Sequence, residues 1–255
     1  MMNILFYCIF TILIFAGDAR PSIHGRIIGG ESTTIEEFPY QVAVEVDRQQ
    51  VCGASILNST VILTAAHCVE NIPNKSIRIR AGTTKREKGG VLRNVDAIIM
   101  HELYNTTTID YDVSLIVLTE PLEFSSAISP VTLPNEDEYL DAPETGVVTG
   151  WGVIDGPLFP KQLQKVYLDI FTQKRCSEIY SENVITLVTP RMICAGVNGE
   201  GDRGICGGDS GGPLVSQNKL HGIASWSQIC GGNTHPAIFT RVTAIRQWIR
   251  AKVNL

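Results

Sequence analysis

The 255-residue chain has no internal repeat and no low-complexity tract, which leaves out solenoid and array architectures. It carries little charge, 18% Asp, Glu, Lys and Arg together, with a net of −5, so the protein as a whole is no nucleic-acid binder by charge. No two cysteines stand in a Cys-x-x-Cys spacing, which removes the compact zinc and dithiol motifs. Only one apolar run is long. It extends from Ile4 to Phe15, broken by Thr11 alone, and as a helix its twelve residues would span about 18 Å. That falls short of the roughly 30 Å hydrocarbon core, so no membrane partner is expected. Helical periodicity is clear only at the C-terminus, and no Asp or Glu occurs after Asp209.

What is present begins with that apolar run. Small residues follow it at Ala16, Gly17 and Ala19, and the segment 1–19 reads as a secretory signal peptide cleaved after Ala19. No Lys or Arg precedes it, so a signal anchor is the competing reading. Beyond Cys8, six cysteines remain, an even number suited to an extracellular chain with three structural disulfides. Their fifteen possible pairings are not resolved by the sequence. Asn-x-Ser/Thr triplets at Asn58, Asn74 and Asn105 are candidate glycosylation sites on the same route. Arg26, followed by Ile27, Ile28, Gly29 and Gly30, reads as a processing site. Cleavage there would release residues 20–26, which hold no cysteine and could not stay tethered, leaving 27–255 as the working protein.

All-β domains often run to about 200–250 residues as one unit, and 23 glycines and 12 prolines provide frequent turns. Gln41 to Val46 and Ser76 to Arg80 alternate polar and apolar residues, as half-buried strands do. Val113 to Leu118 and Leu214 to Val215 are short apolar runs near turn residues. Val242, Ile245, Trp248, Ile249 and Val253 fall on one helical face, with Thr240 or Thr243 as candidate cap. Many strands and one terminal helix predict an all-β barrel or sandwich. Two charge blocks stand out. Lys75, Arg78, Arg80, Lys85, Arg86, Lys88 and Arg93 are opposed only by Glu87, while Glu136, Asp137, Glu138, Asp141 and Glu144 are unopposed. Solvated loops are the simpler reading, and a secondary surface for a charged macromolecule is the other.

The stretch that carries chemistry is Cys206 to Pro213, where Ser210 stands among Gly207, Gly208, Gly211 and Gly212. A serine surrounded by bare amides suits a nucleophile beside an oxyanion site, although a tight turn would also use these residues. Such a serine needs a base, usually a histidine held by a carboxylate. His67 lies between small residues and a cysteine, in Thr64 to Cys68. His101 and His235 sit among turn residues and are expected to be exposed, and His221 follows a polar turn, which suggests a surface role. Asp112 directly precedes Val113 to Leu118 and is the expected carboxylate, part-buried at a barrel mouth, with Asp110 its rival by position.

The segments Arg26 to Gly30, Thr64 to Cys68, Tyr111 to Leu115, Gly150 to Gly152, Cys206 to Pro213 and Ser225 to Cys230 occur in this order. Together they resemble the trypsin/chymotrypsin-type serine proteases across the whole mature chain. The resemblance implies two six-stranded antiparallel β-barrels packed together with a C-terminal α-helix, the boundary falling near residue 135. It implies His67 as general base, Asp112 as its orienter, Ser210 as nucleophile, and the amides of Gly208 and Ser210 as oxyanion hole. It also implies the disulfides Cys52–Cys68, Cys176–Cys194 and Cys206–Cys230. In that family the new amino group at Ile27 would fold inward and pair with Asp209.

The chain departs from the trypsin pattern at the specificity pocket. Gly204 stands six residues before the serine, where trypsin-like members carry an aspartate. Asp202 lies two positions too early to replace it. Ser225, Trp226 and Ser227 would run along the pocket, with Ser227 and Ala237 at wall positions that are usually glycine. Ile205 is bulky and β-branched, and Gly207 would leave the entrance open. An uncharged, partly filled pocket predicts cleavage after small or medium apolar residues. The enzyme would then not activate itself at Arg26, and a trypsin-like activating protease is implied. Expected partners are protein or peptide substrates and serine protease inhibitors, met by a monomer. No cofactor or metal is expected; the loop that binds calcium in some members of the family it resembles, here Gly82 to Val95, holds only Glu87 as a carboxylate, too few for a carboxylate-rich calcium site. An α/β-hydrolase needs its acid downstream of the serine, and none is there. A catalytically silent homologue, acting as a binding or competitor protein, is the remaining alternative.

Overall fold

The computed structural model describes residues 29–140, 144–154, 158–181, 187–198, 203–231 and 235–255. Thirteen strands frame these residues: β1 (Glu31–Ser32), β2 (Gln41–Val46), β3 (Gln49–Ile56), β4 (Val61–Thr64), β5 (Ile77–Ala81), β6 (Val91–Met100), β7 (Ser114–Leu118), β8 (Glu144–Gly150), β9 (Gln164–Phe171), β10 (Met192–Gly196), β11 (Pro213–Ser216), β12 (Lys219–Trp226) and β13 (Ala237–Arg241). A short helix α1 (Gln173–Ile179) follows β9, and α2 (Val242–Val253) follows β13.

The strands close into two six-stranded antiparallel barrels. The first runs β2-β3-β4-β7-β6-β5, and the second runs β9-β10-β13-β12-β11-β8, shut by pairing of β8 with β9. The short β1 adds to the edge of β9 through Glu31↔Lys165 and Ser32↔Gln164. At the other end of the chain, Val242, Ile245 and Ile249 of α2 join the large apolar cluster of the first barrel, together with Leu220 and Ile223 of β12. The described residues thus start on the second barrel, at β1, and finish against the first, at α2. No helix among the described residues is long and apolar enough to cross a membrane.

Several expectations need correction. The strand at Gln41–Val46 was expected to be half-buried, but both faces are covered. Gln41 accepts the Thr149 hydroxyl at 2.6 Å from the other barrel, and Glu45 takes Arg78 at 2.9 Å and Arg80 at 2.5 Å from the neighbouring strand. A buried carboxylate is tolerated here because two guanidiniums neutralise it. The C-terminal helix has no threonine cap: its N-cap is Arg241 without a side-chain bond, and the Thr240 hydroxyl donates instead to the Asp112 carbonyl at 2.8 Å. His221 is buried within β12, and burial pushes its pKa down. His101 is half-buried, its ring held between Tyr111 at 4.4 Å and Trp248 at 4.9 Å, and His235 is half-buried against Tyr180.

The charge blocks also look different in three dimensions. Glu136 pairs with Arg250 of α2 and Glu138 with Lys219, at 2.9 and 2.7 Å. Sequence neighbours gave no hint of these partners, which arrive from about a hundred residues away.

Candidate active site

β4 ends at Thr64, and Ala65 leads into a single 3-10 turn, Ala66–Cys68. Ala65 and Ala66 are fully buried, so only small side chains fit between the turn and the barrel wall. Cys68 is bonded to Cys52 of β3, with Cα atoms 6.1 Å apart. The turn and the disulfide together hold His67 with its ring part-exposed. The other two disulfides are Cys176–Cys194 and Cys206–Cys230.

Asp112 is wholly buried, not part-buried as the sequence suggested. Its Oδ1 accepts the His67 backbone N–H at 3.0 Å, and its Oδ2 lies 2.7 Å from His67 Nδ1. A carboxylate only accepts, so this bond puts the proton on Nδ1 and leaves Nε2 with its lone pair. The Ser225 hydroxyl donates to the same Oδ2 at 2.5 Å. Three donors therefore satisfy a charge that burial alone would make costly. Burial and the nearby charges of Asp112 and Glu70 push the Tyr104 phenol up to about 12.

The rival Asp110 points elsewhere. It accepts from Thr189 at 2.9 Å and pairs with Arg191, just ahead of β10. Burial works to raise its pKa, but the Arg191 and Thr189 hydrogen bonds outweigh it and hold the carboxyl below its usual value. On either side of it, Ile109 and Tyr111 both adopt φ of 53°, costly for a β-branched residue. The Asp110 anchors clamp that turn and so fix where Asp112 enters.

Ser210 lies in the loop ahead of β11. Its carbonyl accepts the Gly53 N–H at 2.8 Å, which ties the loop to β3 of the other barrel. Ser210 and His67 line one cavity of about 320 Å³, with Val46, Val51, Ile72 and the Cys52–Cys68 disulfide. No hydrogen bond joins the hydroxyl to the ring; in sites without substrate such bonds are often long and tighten only once it is bound. Gly207 is exposed, and a side chain there would meet nothing within 4 Å. Its carbonyl accepts the Val153 N–H at 2.8 Å. In a trans peptide C=O and N–H point opposite ways, so the Gly208 amide is turned from Val153. Neither the Gly208 nor the Ser210 amide donates to another described residue.

Asp209 between them is fully buried. Its carboxylate accepts the Gly152 N–H at 2.8 Å and the Cys206 N–H at 3.1 Å. Burial pushes its pKa up to about 7, against the lowering effect of these two bonds. Arg26 and Ile27 lie outside the described residues, as does Asp202. Gly150 and Gly152, quoted in the sequence only as part of a motif, wall in this carboxylate. A Cβ on Gly150 would fall 2.2 Å from Asp209 Oδ1, and one on Gly152 would fall 2.3 Å from its Cγ. The bond from Ser225 to Asp112 was also missed. The spacing of the two glycines was a signal for the first; nothing local signalled the second.

The proposed pocket residues lie in the second barrel. Ile205 and Ala237 belong to its buried apolar cluster, with Val148, Leu214 and Phe239. Gly204 is buried against Gly231, where an added Cβ would approach the Gly231 Cα to 3.2 Å. Trp226 packs edge-on against Tyr180 at 5.3 Å, and the Tyr180 hydroxyl donates to the Pro236 carbonyl at 2.6 Å, beside Ala237. Ser227 is half-buried at the end of β12. Of the sequons, Asn58 and Asn105 accept backbone N–H groups through Oδ1, whereas Asn74 donates through Nδ2 to the Asp96 carbonyl at 2.9 Å.

Two closed antiparallel barrels, each sending one side of a serine–histidine–aspartate group into a shared cleft, are the architecture of the chymotrypsin fold. The chain belongs to the trypsin family, whose model, described as Trypsin, matches residues 27–249. Its relatives make it a serine endopeptidase. It is 36% identical to the vitellin-degrading protease of Bombyx mori over all of this chain and 96% of that protein. It is 38% identical to hypodermin-A of Hypoderma lineatum, covering 88% of this chain and 86% of that one. With trypsin alpha of Drosophila erecta the identity is 36%, over 92% and 90% of the two chains.

Proposed function

We propose that the protein is a secreted zymogen which, once cut between Arg26 and Ile27, hydrolyses peptide bonds after small or medium apolar residues. In this reading Ser210 attacks the scissile carbonyl, and His67 Nε2 takes its proton and later gives it to the leaving amine. Asp112 keeps the Nδ1 tautomer and offsets the imidazolium charge. The amides of Gly208 and Ser210 receive the oxyanion; in sites of this type one such donor is worth about 100- to 1,000-fold in turnover.

The observation that carries the specificity is the make-up of the pocket. Gly204 stands where a trypsin would hold its aspartate, and Ile205 and Ala237 lie in an apolar cluster. Nothing downstream of Asp209 supplies a carboxylate. Several relatives carry the name trypsin, and this chain parts from them here: it would not cleave after Arg26 itself, so a trypsin-like protease activates it. Serine protease inhibitors would close the same cleft on a monomer. The test is to cut the precursor after Arg26 and profile it on an unbiased peptide library. Cleavage after Ala, Val or Leu is expected, and efficient cleavage after Arg or Lys would overturn the pocket assignment. A serine-directed fluorophosphonate should label the processed protein and not Ser210→Ala; absence of labelling would favour the silent homologue.

A further inference from the structure

Beside the catalytic cleft lies a groove of about 890 Å³ that the reaction does not use. Its floor is apolar, formed by Ile154, Leu158, Phe159 and Pro160, with Leu158 62% and Phe159 44% exposed. Its rim is cationic: Lys85, Arg86 and Lys88 come from the first barrel and Lys161 from the loop ahead of β9. Backbone bonds hold the two sides together. Arg86 N–H donates to the Lys161 carbonyl at 3.1 Å, and the Leu163 N–H donates to the Thr84 carbonyl at 2.8 Å.

The basic sequence block therefore splits in two. Arg78 and Arg80 are neutralised by Glu45. The other part converges on the groove, where Glu87 is the one lining carboxylate among the described residues. Glu87 is already engaged, pairing with Arg86 at 2.8 Å and accepting the Gln50 N–H at 3.0 Å. Lys85, Lys88 and Lys161 have no carboxylate within ion-pair distance among the described residues. Arg86 lies 4.2 Å over the Phe159 ring, and its buried Nε has no partner. A cationic patch on a molecule of net charge −5 is a local feature that selects acidic ligands.

One close approach and one hydrogen bond relate the groove to the cleft. The Phe159 ring comes within 3.3 Å of a Cβ placed on Gly208. Gln50, whose carbonyl accepts Arg86 at 3.2 Å, is followed by Val51 and Cys52 on the cavity wall. We propose that this groove binds an acidic stretch of a protein substrate, bearing an apolar side chain, on the C-terminal side of the scissile bond. The proposal rests on the endopeptidase reading above, in which the pocket at Gly204 takes the residue on the acyl side. The leaving side then runs over Cys52 and Val51 toward Phe159 and the lysines. The apolar floor favours a peptide over a sulfated polysaccharide, which offers charge without an apolar anchor.

The test compares two peptides with the same apolar residue at the scissile bond. One continues with Asp, Glu and Leu, the other with Ser, Asn and Leu. For the processed enzyme at low salt, kcat/KM is expected to favour the acidic peptide about tenfold, through KM. The ratio should fall to about 1 to 2 in Lys85→Glu/Lys161→Glu, and in about 1 M salt, where screening acts within about 3 Å. A ratio near 1 in the unaltered enzyme, or one retained in the variant, overturns the proposal. Fluorescence anisotropy of the labelled acidic peptide on processed Ser210→Ala protein tests the groove separately. Saturable binding there supports the groove even if no peptide is cleaved, whereas cleavage without any acidic preference leaves the endopeptidase reading standing and removes the groove. Displacement by a sulfated polysaccharide as effective as that by the peptide would make it a general polyanion site and overturn the peptide assignment.

Discussion

The Ser225 hydroxyl and the His67 ring share one oxygen, Oδ2 of Asp112, at 2.5 and 2.7 Å. The carboxylate is thus aimed from both sides, by the turn after β4 of the first barrel and by β12 of the second. Asp112→Asn should keep the fold yet present an amide that stabilises the wrong imidazole tautomer, lowering kcat about 10⁴-fold. Ser225→Ala should cost less. A hydrogen bond to a charged group contributes about 1.5–3 kcal/mol, so a loss of roughly 10- to 100-fold is expected, in kcat with KM unchanged. Steady-state kinetics on one short peptide measure both. An equal rise in KM would mean that Ser225 acts on substrate binding instead.

Asp209 yields a pH prediction for the uncut precursor. Its pKa is pushed up to about 7, above the ordinary carboxylate value, so the folded chain favours its protonated form. An acid raised in this way supports folding below its unfolded pKa, and that contribution is lost as pH climbs through about 7. In precursor made uncleavable by Arg26→Gln, stability should fall between about pH 4 and 7 by an amount on the order of a few kcal/mol. Adding Asp209→Asn should flatten that slope. Denaturant titrations of both variants across this range are the measurement, and parallel slopes would count against the assignment. In the processed enzyme the Ile27 ammonium, by our reading, takes over as partner, so there Asp209→Asn should abolish activity.

How much of this was legible depended on how local each signal was. β2, β5 and α2 could be placed from periodicity, β7 and β11 from short apolar runs beside turn residues, and His67, Asp112 and Ser210 from the residues flanking them. The environment of each element was less visible. Glu45 looked like an outward strand residue because its partners, Arg78 and Arg80, lie on a neighbouring strand more than thirty residues on. His221 looked superficial because a turn precedes it, yet barrel closure buries it. Thr240 looked like a cap because the helix begins nearby, yet its hydroxyl goes to Asp112 across the molecule. In each case a contact distant in sequence overrode a sound local preference.

The pocket can be tested by addition. Gly204→Asp places a carboxylate at its base, and the new Cβ would sit 3.2 Å from the Gly231 Cα, so that loop must yield by a few tenths of an ångström. Gly231 is buried in a turn at φ 62° and follows Cys230, which is bonded to Cys206, so the substitution should also lower stability. The variant should gain cleavage after Arg and Lys while losing at least about tenfold on Ala, Val and Leu, since an unpaired buried carboxylate opposes an apolar side chain. Ratios of kcat/KM on matched peptides decide this. An unchanged apolar preference would show that residue 204 does not face the substrate.

Gly152 provides the most direct test of the loop that carries Ser210. Its amide donates to Asp209 at 2.8 Å, and its Cα stands so close that an alanine Cβ would fall 2.3 Å from the carboxylate carbon. All three carboxylate atoms of Asp209 lie within 2.5 Å of that Cβ position, and Asp209 is wholly buried, so the side chain has no room to retreat. Gly152→Ala should therefore expel the Asp209 side chain and destabilise the protein by at least about 1–3 kcal/mol, as overpacking of a filled interior does. The displaced aspartate would turn the peptides on either side of it, and with them the amides of Gly208 and Ser210. Turnover should then fall by the 100- to 1,000-fold that losing an oxyanion donor costs in sites of this type, about 2.7–4 kcal/mol. Fluorophosphonate labelling should slow in parallel, because that reagent also needs the aligned amides. A variant that labels and turns over normally would mean that the loop holds Ser210 without Asp209.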